Sequence, residues 1–186
     1  MKHLMFAAAA AALISAPVMS APAWAALPVG APAPEFSAPA FLAGDQFQFV
    51  LADALKKGPV VLYFFPAAHT AGCNIEAHMF ADAIDKFKAQ GATVIGVTAG
   101  NVTQLADFSK ETEHCSGKFP VAADPGDVIA KTYDATFAMG PNTITNRTSY
   151  VIAPNDTVLY TYTNLAPDQH ISLTLDAVTK WRASHP

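Results

Sequence analysis

Cysteine and arginine are scarce in this chain, with two of each among 186 residues. The cysteines, Cys73 and Cys115, stand far apart. Their spacing excludes the C-x-x-C pair of thiol–disulfide exchange and the C-x-x-x-C pair that hands on copper. Eleven Lys and Arg face 15 Asp and Glu, for a formal net charge of −4 without a basic stripe, which argues against a nucleic-acid partner. His69, His78 and His114 are not arranged as H-x-x-x-H or any similar short metal-binding pair, so each is assigned a surface or partly buried polar role. No metal and no other cofactor is expected. Beyond the N-terminal segment, no apolar run is long enough to span a bilayer. Repeats and low-complexity linkers are absent, which leaves one domain.

That N-terminal segment has a layout of its own. Lys2 and His3 precede an apolar run from Leu4 to Leu13, and Ala23-Trp24-Ala25 supplies a small-x-small cleavage pattern. The reading is a secretory signal peptide over residues 1–25, cleaved to leave a single domain over 26–186. A membrane anchor fits less well, because the run is short and interrupted by small residues and Pro17. The protein is thus expected to be exported, in a bacterium to the periplasm, with no membrane span after cleavage. In an oxidising compartment an even pair of cysteines also invites a structural disulfide, and that alternative stays open here.

The hydrophobic pattern predicts alternating strands and helices. Leu27 to Glu35 reads as an extended arm, and Phe36 to Val50 as a hairpin around Ala43-Gly44-Asp45. Leu51 to Lys57 is a helical turn stopped by Gly58-Pro59. Val60 to Phe64 is a buried strand, and Asn74 to Lys88 an amphipathic helix with Ile75, Met79, Ala83 and Phe87 on one face. Thr93 to Val97 is a β-branched strand of the kind covered on both sides. Asn101 is expected to cap a helix from Val102 to His114, with Cys115 just past its end. A short strand, Phe119 to Ala122, leads through Asp124-Pro125-Gly126-Asp127 into a helix reaching Tyr133, and Ala135 to Thr145 is left irregular. Strands Thr148 to Ile152 and Val158 to Thr163 form a hairpin, and a last helix covers Asp168 to Trp181. This order predicts an α/β fold with a mixed sheet flanked by helices.

One stretch carries chemistry. Pro66-Ala-Ala-His-Thr-Ala-Gly-Cys73 links the buried strand to the amphipathic helix, so Cys73 enters the helix where backbone N–H groups are unpaired. The positive end of the helix dipole favours a thiolate there, and only the thiolate is a nucleophile.

Pro66, Thr70 and Cys73 form P-x-x-x-T-x-x-C after a Val-Leu-Tyr-Phe-Phe strand. This resembles the active-site signature of the peroxiredoxins, thiol-dependent peroxidases on a thioredoxin-like fold. Residues from Gly58 to Phe80, Gly91-Ala-Thr-Val-Ile-Gly-Val and Ala123-Asp-Pro-Gly are most similar to the bacterioferritin-comigratory (peroxiredoxin Q) branch. The resemblance implies a thioredoxin-like fold with an N-terminal hairpin extension. By it Cys73 is the peroxidatic cysteine, Thr70 binds the peroxide through its hydroxyl, and Pro66 shields the thiolate. Arg147, in Arg147-Thr-Ser-Tyr-Val-Ile152, matches the arginine that lowers the thiol pKa. Glu76 matches a Cys-x-x-Glu pattern and is read as orienting the site. Arg182 lies at a helix end and is read as structural.

The chain departs from the branch at two points. Ala71 stands where many relatives have proline. His78 stands where many carry a resolving cysteine, so that mode of resolution is closed. Cys115 is the candidate resolving residue, forming an intramolecular disulfide with Cys73. The alternatives are a one-cysteine peroxidase resolved by an outside thiol and a thioredoxin-fold redox protein without peroxidase activity. The implied partners are a peroxide and a dithiol reductant protein of the thioredoxin kind, or a low-molecular-weight thiol. The protein is expected to be a monomer or a weak homodimer.

Overall fold

The computed structural model describes residues 26–185; the expected signal peptide lies outside the described residues. Strand β3 (Val60–Phe64) is apolar throughout and lies at the middle of the fold. Because strand side chains alternate, Val61 and Tyr63 point to one face of the sheet and Val60, Leu62 and Phe64 to the other. Both faces are covered, which is why this strand reads as a continuous hydrophobic run.

The hairpin β1 (Ser37–Leu42) and β2 (Asp45–Val50) turns at Ala43 and Gly44, both left-handed at φ 53° and 91°. Positive φ at both central residues matches the twist of a two-residue hairpin. Helix α1 (Leu51–Leu55) precedes β3, and helix α2 (Ala71–Ala89) comes after it. Next come β4 (Thr93–Thr98), a 3-10 turn at Val102–Gln104, α3 (Leu105–Lys110), β5 (Val121–Ala123) and α4 (Val128–Thr132). A small hairpin, β6 (Thr136–Met139) and β7 (Asn142–Thr145), stands apart from the main sheet. β8 (Thr148–Ile152), β9 (Val158–Thr163) and α5 (His170–Ala183) complete the chain.

The seven main strands run in the order β2-β1-β5-β4-β3-β8-β9. β3, β4 and β5 are mutually parallel, and β8 is antiparallel to β3, giving the mixed sheet expected. On one face Phe80, Ile84 and Phe87 of α2 pack with Phe108 of α3 and with Ile171 and Val178 of α5. On the other, Leu51 and Leu55 of α1 and Ile129 of α4 pack with Tyr133 and Tyr150.

Four local expectations are corrected. Ile75 is 52% exposed and Glu76 fully buried, so the inner stripe of α2 is Cys73, Glu76, Ala77, Phe80, Ile84 and Phe87. A buried ion pair between Glu76 and Arg147 holds the place that an apolar pattern assigns to isoleucine. Asn101 is not a side-chain cap: it is left-handed at φ 56°, and its Nδ2 donates to Ala68 O at 2.7 Å. α3 ends at Lys110, four residues short of His114, because the backbone becomes extended at Glu111. Ser116 N–H then returns to Glu111 O at 2.9 Å and Gly117 N–H to Ser109 O at 2.9 Å, which turns His114 and Cys115 inward. The segment Ala135 to Thr145 is ordered as the β6–β7 hairpin, whose β-branched threonines suit a two-stranded ribbon turning at Gly140.

Candidate active site

The register of β3 against β8 places the site. Phe64 pairs with Thr148, so the antiparallel chain brings Arg147, one residue before β8, beside the loop that leaves β3. This is the carboxyl end of the parallel strands, where open α/β sheets form their sites.

The loop is tied to the end of β4. Ala67 bridges Gly100, Thr98 Oγ1 donates to Pro66 O at 3.1 Å, and Phe65 N–H donates to Val97 O at 3.1 Å. A Cβ on Gly100 would fall 2.2 Å from Pro66 O, so only glycine lets the two segments approach. His69 takes a left-handed φ of 59°, which turns the chain into α2. Thr70 is the residue before the helix, and its carbonyl accepts the first helical bond, from Asn74 N–H at 2.9 Å. The Cys73 amide therefore lies in the first turn, ahead of that bond and without a helical acceptor.

Cys73 is 2% exposed, and its Sγ lies 3.4 Å from Arg147 Nη2, which donates to it. Three bonds in different directions fix this guanidinium. Nε donates to Leu165 O at 2.8 Å, Nη1 to Glu76 Oε2, and Nη2 to the sulfur. Glu76 is on the same inner face of α2 as Cys73, one turn on, so one helix presents both partners of the arginine. Gly72 makes the approach possible, since a Cβ there would stand 3.0 Å from Arg147 Nη2.

The electrostatics follow from burial. Loss of water pushes the Glu76 carboxyl up, to about 8, and the Arg147 guanidinium opposes that shift. Burial works against the charge of Arg147, but Glu76 and Cys73 more than offset it and hold the guanidinium charged. Behind the pair lies His170, whose Nε2 donates to Asn164 O at 2.9 Å, leaving Nδ1 to accept from Ser149 Oγ at 2.7 Å. Burial, with the nearby Arg147, lowers His170 to about 4, so it stands neutral.

Comparison with known proteins identifies the family. Residues 29–161 match the AhpC/TSA family. The chain is 34% identical over 141 residues to a chloroplastic peroxiredoxin Q of Oryza sativa subsp. japonica, covering 75% of this chain and 63% of that one. It is 30% identical over 162 residues to the chloroplastic peroxiredoxin Q of Sedum lineare, covering 87% and 83%. The chain belongs to the AhpC/TSA family, as a peroxiredoxin of the Q type. It spans somewhat under two thirds of the length of the rice relatives that it matches. Among solved structures, peroxidoxin BcpB of Mycobacterium tuberculosis superposes with a TM-score of 0.72 at 25% identity, over 82% of this chain and 96% of that one. A Xanthomonas campestris peroxiredoxin Q superposes at 0.68 and 22% identity, over 77% and 90%. The fold is thus the thioredoxin-like peroxiredoxin fold.

In this peroxiredoxin Pro66, Thr70, Cys73 and Arg147, all singled out in the sequence, converge on one end of the sheet. Thr70 is exposed, and its hydroxyl donates to Ala67 O at 2.9 Å. Cys115 is wholly buried in the same core cluster as Cys73, and the two are free thiols. Burial alone drives the Cys115 thiol far up from its ordinary range. Tyr63 packs in that cluster too, its ring accommodated because Gly96 has no side chain; a Cβ there would come within 2.6 Å of it. His78 is half-exposed, 3.6 Å from Asp82, in the surface role expected. Gly72, Ser149, Leu165 and His170 complete the setting of Arg147 and carried no individual signal in the sequence. Among the described residues, no helix is long and apolar enough to cross a membrane.

Proposed function

We propose that this chain is a thiol peroxidase in which the Cys73 thiolate reduces hydrogen peroxide and organic hydroperoxides. The observation that carries the proposal is the donation of Arg147 Nη2 to Cys73 Sγ at the first turn of α2. A guanidinium and a helix N-terminus both stabilise the thiolate over the thiol. The sulfur attacks the distal peroxide oxygen, the S–O bond forms as the O–O bond breaks, and the leaving oxygen departs as alkoxide or hydroxide and takes up a proton. Sulfur is oxidised by two electrons to a sulfenic acid, and the peroxide is reduced to alcohol or water. Arg147, the Cys73 amide and the Thr70 hydroxyl supply polar groups for peroxide and leaving oxygen, and Pro66 covers the thiolate on the loop side.

Cys115 then condenses with the sulfenic acid, releasing water and forming a disulfide that a dithiol reductant reopens. A disulfide requires the two α-carbons within about 7 Å, and the proposed route reaches that by partial unwinding of the first turn of α2. The full burial of Cys115 favours one competing route, in which an outside thiol resolves the sulfenic acid. The reaction needs no metal, haem or flavin. We retain an exported location for the mature domain, to be checked by N-terminal sequencing of protein from a cell fraction, and a monomer or weak dimer, to be checked by sedimentation.

Intact mass after one equivalent of hydrogen peroxide tests the whole scheme. Rapid loss of two hydrogens, absent from Cys73→Ser and Cys115→Ser, is the expected result. Oxygen added at Cys73 whether or not Cys115 is present would mean resolution by an outside thiol. Unchanged reduced mass would overturn the peroxidase assignment.

A further inference from the structure

A second cluster of ligating side chains stands on the other side of the peroxidatic loop. His69 lies in that loop, while Glu111 and His114 lie in the turn that leads from α3 to Cys115. Their ligand atoms all fall within 4.8 Å of one another. His69 Nε2 is 2.9 Å and His114 Nδ1 2.8 Å from the same carboxylate oxygen, Glu111 Oε2. The imidazoles are held in place. His114 is 7% exposed and stacks on Phe108 with centroids 4.8 Å apart, and His69 meets both rings edge-on.

The hydrogen-bond inventory shows what the centre of this cluster wants. His69 Nδ1 is 2.7 Å from Gln104 Oε1, an acceptor, so Nδ1 carries the hydrogen. His69 Nε2 and His114 Nδ1 both point at one carboxylate oxygen, Glu111 Oε2, a convergence whose centre a proton or a bound cation can occupy. A carbonyl-type oxygen behind a histidine is also the outer-shell partner that fixes the ring of a metal ligand.

We propose that His69, Glu111 and His114 form a binding site for a divalent transition ion of the Zn²⁺ class. Two imidazole nitrogens and one carboxylate oxygen are a donor set that zinc takes readily, with water in the fourth position. The Glu111 side chain is 39% exposed, so the site opens to solvent on that side. Ligands at ~2.0–2.2 Å on a tetrahedral ion lie roughly 3.4 Å apart. The two close pairs, at 2.9 and 2.8 Å, need to spread by only about half an ångström to reach it, and all three atoms lie within 4.8 Å of one another. His69 and Glu111 are 42 positions apart in the chain, which is why short-spacing motifs do not show the set. A bound ion ties the loop ahead of Cys73 to the turn that carries Cys115.

The test is Zn²⁺ titration of the reduced full chain against a chromophoric chelator, with Co²⁺ spectra in parallel. One equivalent is expected to bind, raising the unfolding temperature. Affinity should fall about tenfold or more in His69→Asn, which keeps the left-handed turn, and in Glu111→Gln and His114→Phe. The Cys73→Ser/Cys115→Ser double variant should bind as the parent does, and the Co²⁺ complex of the parent should show no sulfur-to-metal charge-transfer band. Parent-like affinity in both His69→Asn and Glu111→Gln, loss of binding in the cysteine double variant, or no binding by the parent would each overturn the site. These readouts do not depend on peroxidase activity, so either assignment can fail alone.

Discussion

Cys73 and Cys115 are nearly equally buried, at 2% and 0% exposure, and share one core cluster. Their surroundings nevertheless differ. Cys73 has a guanidinium 3.4 Å from its sulfur and sits on the first turn of a 19-residue helix. Around Cys115 nothing offsets the loss of water, so the protonated thiol is favoured strongly. Under the proposed function, burial does not separate the attacking cysteine from the other one; the charged donor beside it does. In the proposed scheme Cys115 acts only later, attacking the sulfenic acid after a rearrangement that exposes it.

The sharpest way to break this comparison is to remove the donor. Arg147→Met should lower the second-order rate of Cys73 oxidation by about 10²–10³, the usual effect of losing one preorganised donor. It should also cost about 1–3 kcal/mol of stability, since the buried Glu76 carboxyl loses its hydrogen-bond partner. Stopped-flow peroxide kinetics and denaturant unfolding read the two effects, and Arg147→Met/Glu76→Gln should recover part of the stability but none of the rate. A parent-like rate in Arg147→Met would erase the distinction drawn between the two cysteines.

Gly72→Ala probes the same contact more gently. The added Cβ stands 3.0 Å from Arg147 Nη2 and must displace it, so the rate should fall about tenfold while the fold remains intact. An unchanged rate with the alanine in place would show that the guanidinium position is not critical.

Glu76 and His170 make the region behind Cys73 sensitive to pH. An acid raised from 4.5 to about 8 binds its proton more tightly in the folded state, so its ionisation destabilises the fold as pH rises through that interval. A histidine lowered from 6.5 to about 4 acts in the opposite sense, and stability is lost as pH falls through its interval. The two oppose each other between 4.5 and 6.5, and above 6.5 only the Glu76 effect remains. Unfolding free energy should thus decline from pH 6.5 to about 8, and Glu76→Gln should flatten that slope. A slope unchanged by Glu76→Gln would place the titrating group elsewhere.

The smallest effect is expected at the other thiol. Cys115→Ser should leave the first oxidation of Cys73 at its parent rate and change only the later steps, with the sulfenic acid persisting long enough to be trapped by dimedone. A slowed first step would mean that Cys115 shapes the peroxide site before any reaction occurs.

Much of this architecture was legible in the order of residues because the signals are local. Val60–Phe64 and Thr148–Ile152 are β-branched and aromatic runs, and both form as expected. The loop from Pro66 to Cys73 announces itself by its strand before and helix after. Arg147 was also findable, since only one other arginine exists and that one ends a helix. Ile75 shows where a local pattern misleads: periodicity places it inside, but Glu76 takes the inner position because Arg147, 71 residues away, donates a hydrogen bond to it there.

Residue order alone decides which segments can become strands, which cysteine enters a helix at its positive end, and which residue types are available for chemistry. Folding in three dimensions decides that Arg147 reaches Cys73 past Gly72, that α3 stops early so that Cys115 is buried, and that His69 meets Glu111 and His114. The physical reason is range. Propensity, turn chemistry and helix dipoles act within a few residues, whereas desolvation and charge pairing depend on which distant parts of the chain the fold places at the same point.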